Sequence, residues 1–221
     1  YKIVGTSVPR VDLPPKIMGT FAYTQDVRVP GMLHGRVVRT PMVTSNPVSV
    51  DESSIKHIPG VVKVVKEGSF VGVVAKSEWA AIQAAQALKV IWSEPTTKLP
   101  ANPDELYAYL KNTKSFRDKV AANKGNPDAA ISQASKRYEA TYRFPFQLHG
   151  MIGPSCAVAD VQKDRATILT GTQGPFRTRS AVANLLGLPE KNVRVIYVEG
   201  SGCYGRLSTD DAPEDAAVLS R

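Results

Sequence analysis

The chain has 221 residues, 43% of them hydrophobic and 22% charged, the balance of a globular protein with room for one large domain or two modest ones. Its net charge of +8 comes from Lys and Arg scattered from Lys2 to Arg221, without basic runs or interleaved aromatics; this argues against a nucleic-acid surface and fits a solvated basic face or an acidic partner subunit. Polar residues break every apolar stretch short of the roughly 20 residues of a membrane span, and two isolated cysteines with three scattered histidines make neither a zinc site nor a disulfide framework.

Residues 1–16 read as a Pro-containing lead-in segment without a signal peptide, and Tyr1-Lys2-Ile3-Val4-Gly5 looks like the inside of a longer chain. Residues 17–95 form the first domain. Its expected elements are a strand over 32–39, an extended stretch over 47–50, a short helix over 52–57, and strands over 61–65 and 70–75 turning at Gly68. A helix capped by Ser77 runs to Leu88, with Glu78 at its positive end, and a closing strand covers 90–92. The order is β-α-β-β-α-β, with Trp79 and Trp92 as core anchors. Pro95, Pro100 and Pro103 hold the chain extended at the boundary. Residues 96–135 are a linker with helices over 104–112 and 126–134.

Residues 136–221 begin a second domain, with strands over 137–143, 156–161, 166–170 and 193–198. A helix over 175–186 presents Val182, Leu185 and Leu186 on one side and ends at Gly187, and another helix covers 210–219. Between the last strand and the last helix stands Glu199-Gly200-Ser201-Gly202-Cys203-Tyr204-Gly205-Arg206. Its glycines permit positive φ and close approach to a ligand. Three readings compete: a tight turn, a dinucleotide loop of G-x-G-x-x-G spacing, and a loop whose amides face a bound cofactor. For the second, the acidic residue needed about 20 positions on would lie past Arg221. The third draws on Thr172-Gln173, at the end of a strand that opens a helix, where a Gln amide offers both donors and an acceptor.

The combined order narrows the choice. Thr170-Gly171-Thr172-Gln173-Gly174-Pro175, a helix closing Leu186-Gly187-Leu188-Pro189, Val193-Arg194-Val195 and Gly200-Ser201-Gly202-Cys203-Tyr204-Gly205 resemble the first cofactor-binding segment of the molybdenum hydroxylases. Upstream, Gly19-Thr20-Phe21-Ala22-Tyr23, Pro30-Gly31-Met32-Leu33-His34-Gly35 and Pro59-Gly60-Val61-Val62 are similar to that family's α/β hammerhead. The resemblance covers residues 8–221 and is to the large, molybdopterin-binding subunit of xanthine dehydrogenase/aldehyde oxidase-type enzymes. His149-Gly150-Met151-Ile152-Gly153-Pro154 and the Cys-Tyr-Gly-Arg turn sit nearest the isoquinoline 1-oxidoreductase/nicotinate dehydrogenase branch. Ser208 stands where xanthine-oxidising members carry a substrate-binding Glu, which counts against purines.

The resemblance implies an α+β fold, an α/β hammerhead (17–95) followed by the first part of a mixed α/β molybdopterin-binding domain (136–221). It implies an oxidoreductase that hydroxylates an N-heteroaromatic or oxidises an aldehyde with water-derived oxygen, passing electrons to iron-sulfur clusters. The cofactor is molybdopterin. The partners are the remainder of the large subunit and a small 2Fe–2S subunit. Gln173, Gly202, Cys203, Tyr204 and Gly205 would contact the cofactor, Gln173 by a hydrogen bond to the molybdenum's oxo ligand and Tyr204 through its amide. None is a direct metal ligand. The family's general base, a Glu far downstream, has no counterpart here; Glu199 and Glu214 read as surface residues, and the 221 residues alone are expected to be an inactive N-terminal fragment. A non-catalytic hammerhead module for binding or assembly is the alternative, followed by a dinucleotide-binding oxidoreductase fragment, and the sequence leaves the compartment, cytoplasmic or periplasmic, open.

Overall fold

The computed structural model describes residues 1–147, 149–200, 202–207 and 211–221. The chain forms two compact units, one of Tyr1–Pro95 with His149–Arg221, the other of Thr96–Leu148.

In the larger unit, α1 (Leu13–Ile17) and a 3₁₀ turn at Thr24–Asp26 precede a three-stranded antiparallel sheet. Its order is β1 (His34–Val37), β4 (Phe70–Ala75), β3 (Val61–Glu67). β4 is apolar throughout because it is central: Val71, Val73 and Ala75 are fully buried. The β3–β4 hairpin pairs Glu67 with Phe70, and Gly68 supplies the positive φ (56°) that a two-residue turn requires. β2 (Pro47–Asp51) and β5 (Lys89–Trp92) make a separate antiparallel ribbon. α2 (Glu78–Ala87) begins where the Ser77 hydroxyl accepts the Ala80 N–H. Its Ala80, Ala81 and Ala84 pack with Ile55, Ile58, Val71 and Val73 as the first core.

The smaller unit holds α3 (Pro103–Asn112) and α4 (Pro127–Gln133), each started by an Asn cap and a following Pro. Tyr107 donates to the Phe144 carbonyl (2.5 Å) and stacks on Phe146.

A second sheet in the larger unit is ordered β6 (Ala157–Val161), β7 (Ala166–Thr170), β8 (Val193–Tyr197). β6 and β7 are antiparallel; β7 and β8 are parallel, from Ala166 opposite Val193 to Thr170 opposite Tyr197. The crossover between them is α5 (Pro175–Leu186), ended by Gly187 at φ 68°. α6 (Ala212–Ser220) covers this sheet, and Ala217 joins Ala166, Ile168, Val182, Ala183 and Val193 in the second core. α6 also meets the first sheet. A Cβ on Gly35 or Gly72 would lie 2.5 and 2.8 Å from Leu219 methyls, so these two glycines form the socket for Leu219.

Several expectations are corrected. Trp79 is 64% exposed, since α2 turns its alanines to the core and the indole outward; Trp92 does pack against that core. Leu185 is also exposed, and Thr178 and Ala183 join Val182 on the buried face of α5. Residues 137–143 form no strand, having no neighbouring strand in their unit to supply ladder bonds. The helix expected at 52–57 is a 3₁₀ turn, Glu52–Ile55, so the chain from His34 to Trp92 reads β-β-β-β-α-β. Residues 1–16, read as a Pro-containing lead-in segment, include most of α1.

Candidate functional site

Because β7 and β8 are parallel neighbours, their carboxyl ends open side by side, the position where α/β sheets place ligands. The Val198 N–H donates to Thr170 O (3.1 Å) just past the register. Beyond this point the two exits nearly touch: a Cβ on Gly171 would lie 3.0 Å from Gly200 N and 3.2 Å from Val198 O. Only glycine permits that approach.

Thr172 follows, buried, its hydroxyl accepting the Gly174 N–H (3.1 Å) at the start of α5. Gln173 therefore projects toward the glycine-rich loop. Its Oε1 accepts the Leu207 N–H (2.9 Å), its Nε2 donates to Gly205 O (3.4 Å), and the same nitrogen lies 3.8 Å from Cys203 Sγ. Residues 203–206 form a turn closed by the Arg206 N–H on Cys203 O (2.9 Å). Both central residues have positive φ, Tyr204 at 44° and Gly205 at 108°, as in primed turns. Gly202 is at φ 121°, and a Cβ there would meet the Tyr204 ring at 3.0 Å. His149 Nδ1 lies 2.8 Å from Tyr204 O.

Beside the turn is a small, open depression lined by Thr24, Gln25, Met151, Cys156, Gly171, Gly200, Gly202 and Leu207 among others. Of the residues singled out in the sequence, Gly202 lines it. Gln173, Cys203, Tyr204 and Gly205 are gathered in the hydrogen-bonded turn that borders it through Gly202 and Leu207. Cys156 and Cys203 are both partly buried. Ser201 and Ser208 lie outside the described residues.

One group was missed from sequence. Thr24, 2% exposed, donates through Oγ1 to Val198 O (2.8 Å) and through its N–H to Glu199 O (2.8 Å). Glu199, read as a surface residue, takes a salt bridge from Lys16 Nζ (2.6 Å), which also binds Asp12 (2.7 Å) and lies over the Phe21 ring. Hydrogen bonds from Arg10 and then Lys16 hold the Asp12 carboxyl well below the usual range, and those to Asp12 and Glu199 raise Lys16. Lys16 and Glu199 are 183 residues apart, so no local pattern could announce the pair.

A family model described as the molybdopterin cofactor-binding domain matches residues 111–220. The chain resembles the molybdopterin-binding subunits of the molybdenum hydroxylases. It is 44% identical to a subunit of the nicotinate dehydrogenase of Pseudomonas putida, over 100% of this chain and 19% of that protein. It is 28% identical to the beta subunit of isoquinoline 1-oxidoreductase from Brevundimonas diminuta, over 100% of this chain and 29% of that protein. The chain thus spans less than a third of the length of either relative. Among solved structures, aldehyde oxidoreductase from Desulfovibrio gigas superposes with a TM-score of 0.77 at 19% identity, covering 98% of this chain and 29% of that one. Quinoline 2-oxidoreductase from Pseudomonas putida 86 superposes at 0.69 with 22% identity, covering 98% and 34%. The mixed helix-and-sheet fold is therefore that of molybdenum hydroxylase large subunits.

Proposed function

We propose that this chain serves a molybdopterin-dependent oxidoreductase that hydroxylates an N-heteroaromatic or oxidises an aldehyde with oxygen from water, its electrons leaving to iron-sulfur clusters on a small partner subunit. The observation that carries the reading is the meeting of Gln173 with the 202–207 turn at the adjoining ends of β7 and β8.

The residues fit such a cofactor. Three φ values above zero in four residues turn the loop tightly with little side chain in the way, and the Gly171–Gly200 contact keeps side chains out of the space between the strand ends. Gln173, Gly202, Cys203, Tyr204 and Gly205 would hold the cofactor from this side, with the half-exposed Tyr204 ring near the substrate. When bound, the molybdenum centre would supply the two-electron oxidation. This chain's own contribution is to bind and orient. Residues 17–95 would form the α/β hammerhead, 96–135 the linker and 136–221 the cofactor-binding part, joined to the remainder of the large subunit.

An N-heteroaromatic substrate is favoured over a purine by the likeness to the nicotinate dehydrogenase of Pseudomonas putida and by Ser208 in place of a substrate-binding Glu. Anaerobic assay of the full-length protein, with an artificial electron acceptor, should show turnover of nicotinate-like heterocycles or aromatic aldehydes and at least about tenfold lower kcat/KM for xanthine. Equal or better xanthine turnover contradicts the substrate class. Failure with every heterocycle and aldehyde by a molybdenum-loaded preparation contradicts the activity.

A further inference from the structure

We infer that His149 is a positioning residue, a latch that sets the aim of the Tyr204–Gly205 peptide in the glycine-rich turn. Tyr204 O, as a carbonyl, can only accept, so the Nδ1 that lies 2.8 Å from it must carry a hydrogen. The ring is thereby held as the Nδ1–H tautomer or as imidazolium. Among the described residues, the non-glycine positions with positive φ are Thr44, His149 and Tyr204. Two of these three face each other across this one hydrogen bond, at φ 63° and 44°. Backbone strain of this kind persists only where the surroundings enforce it, and it concentrates at working sites.

The contact extends beyond the bond. A Cβ on Gly205 would stand 3.2 Å from His149 Nδ1 and 3.4 Å from its Cε1, so the imidazole rests directly on the glycine backbone. The next carbonyl, Gly205 O, is taken by Gln173 Nε2, and the Leu207 N–H by Gln173 Oε1. The two peptide groups flanking Gly205 are thus held by different side chains, His149 and Gln173. Since the peptide is trans and planar, turning Tyr204 O to His149 sends the Gly205 N–H the opposite way. His149 thus governs which side of the turn presents a donor. That this donor faces molybdopterin rests on the function proposed above; the latch itself does not.

The test uses the full-length protein with three variants: His149→Phe and His149→Ala, which cannot donate, and His149→Asn, whose amide can. Hydrogen exchange followed by mass spectrometry over residues 202–207 should quicken about five- to tenfold in both non-donors and return most of the way in the Asn variant. With a heterocyclic or aldehyde substrate, the non-donors should lose kcat more than they raise KM, again with partial rescue by Asn. Unchanged exchange in the Phe and Ala variants, or an Asn variant as fast as Ala, overturns the latch. A wild-type protein without molybdenum or pterin would sink the proposed function instead, and the exchange comparison would still decide His149.

Discussion

At the residue scale, two glycines with similar backbone demands should respond differently to a methyl group. Gly187 closes α5 at φ 68° with nothing within 4 Å of an added Cβ, so Gly187→Ala should cost only the left-handed penalty, about 1 kcal/mol. Gly205, at φ 108° and against His149, should cost about 1–3 kcal/mol on the same change. Denaturant unfolding of both variants measures the difference; equal losses would mean that the turn is not held against His149.

A carboxylate gives a second residue-scale test. Burial pushes the Asp215 carboxyl up to about 6, against the opposing pull of Arg39, while Asp211 adds like charge. Because its folded pKa lies above the unfolded value, the folded state holds the proton more tightly between about pH 4 and pH 6. The stability this residue contributes is complete below about pH 4 and is lost as pH rises through about 6. Comparing wild type with Asp215→Asn in urea, the balance should move toward the variant by about 1 kcal/mol between pH 4 and pH 7, solvent screening having reduced the full shift. A difference that stays flat across that range contradicts the assignment.

At the element scale, α6 is joined to the first sheet by Leu219 in its glycine socket. Gly35→Ala should cost about 1–3 kcal/mol, because its methyl takes the place of a Leu219 methyl. In a Leu219→Ala background the same change should cost about 1 kcal/mol less, a coupling that a double-mutant cycle reads directly. Additive losses would show that the two do not touch. Elements with self-sufficient local signals were legible from sequence: the apolar hairpin turning at Gly68, the Ser77-capped helix, α5 with its Gly187 stop, and the VRVIYV strand. What failed depended on partners. The stretch at 137–143 has strand-like residues but no strand beside it, and Trp79 lost its expected place because three alanines bring α2 close to the sheet. The meeting of Gln173 with residues 203–207 was readable because both follow strands that the α5 crossover makes parallel neighbours. The Lys16–Glu199 tie and the His149–Tyr204 bond were not, since each joins distant positions through ordinary polar residues.

At the scale of the whole molecule, two strand ends, a turn with inverted backbone and a Gln bridge between them make the surface proposed above to hold the cofactor, and Lys16 and Thr24 fasten it from upstream through Glu199 and Val198. The relatives it resembles extend several times further, so the opposing wall, the general base and the iron-sulfur partner are assigned to the rest of the proposed enzyme. The most direct measurement is the molybdenum and pterin content of the full-length protein, produced in a host that makes the cofactor, beside a Gly205→Val variant. Molybdenum and pterin in equal amounts in the wild type, both largely lost from a soluble Gly205→Val protein, is the predicted result; a folded wild type carrying neither would contradict the molybdopterin site.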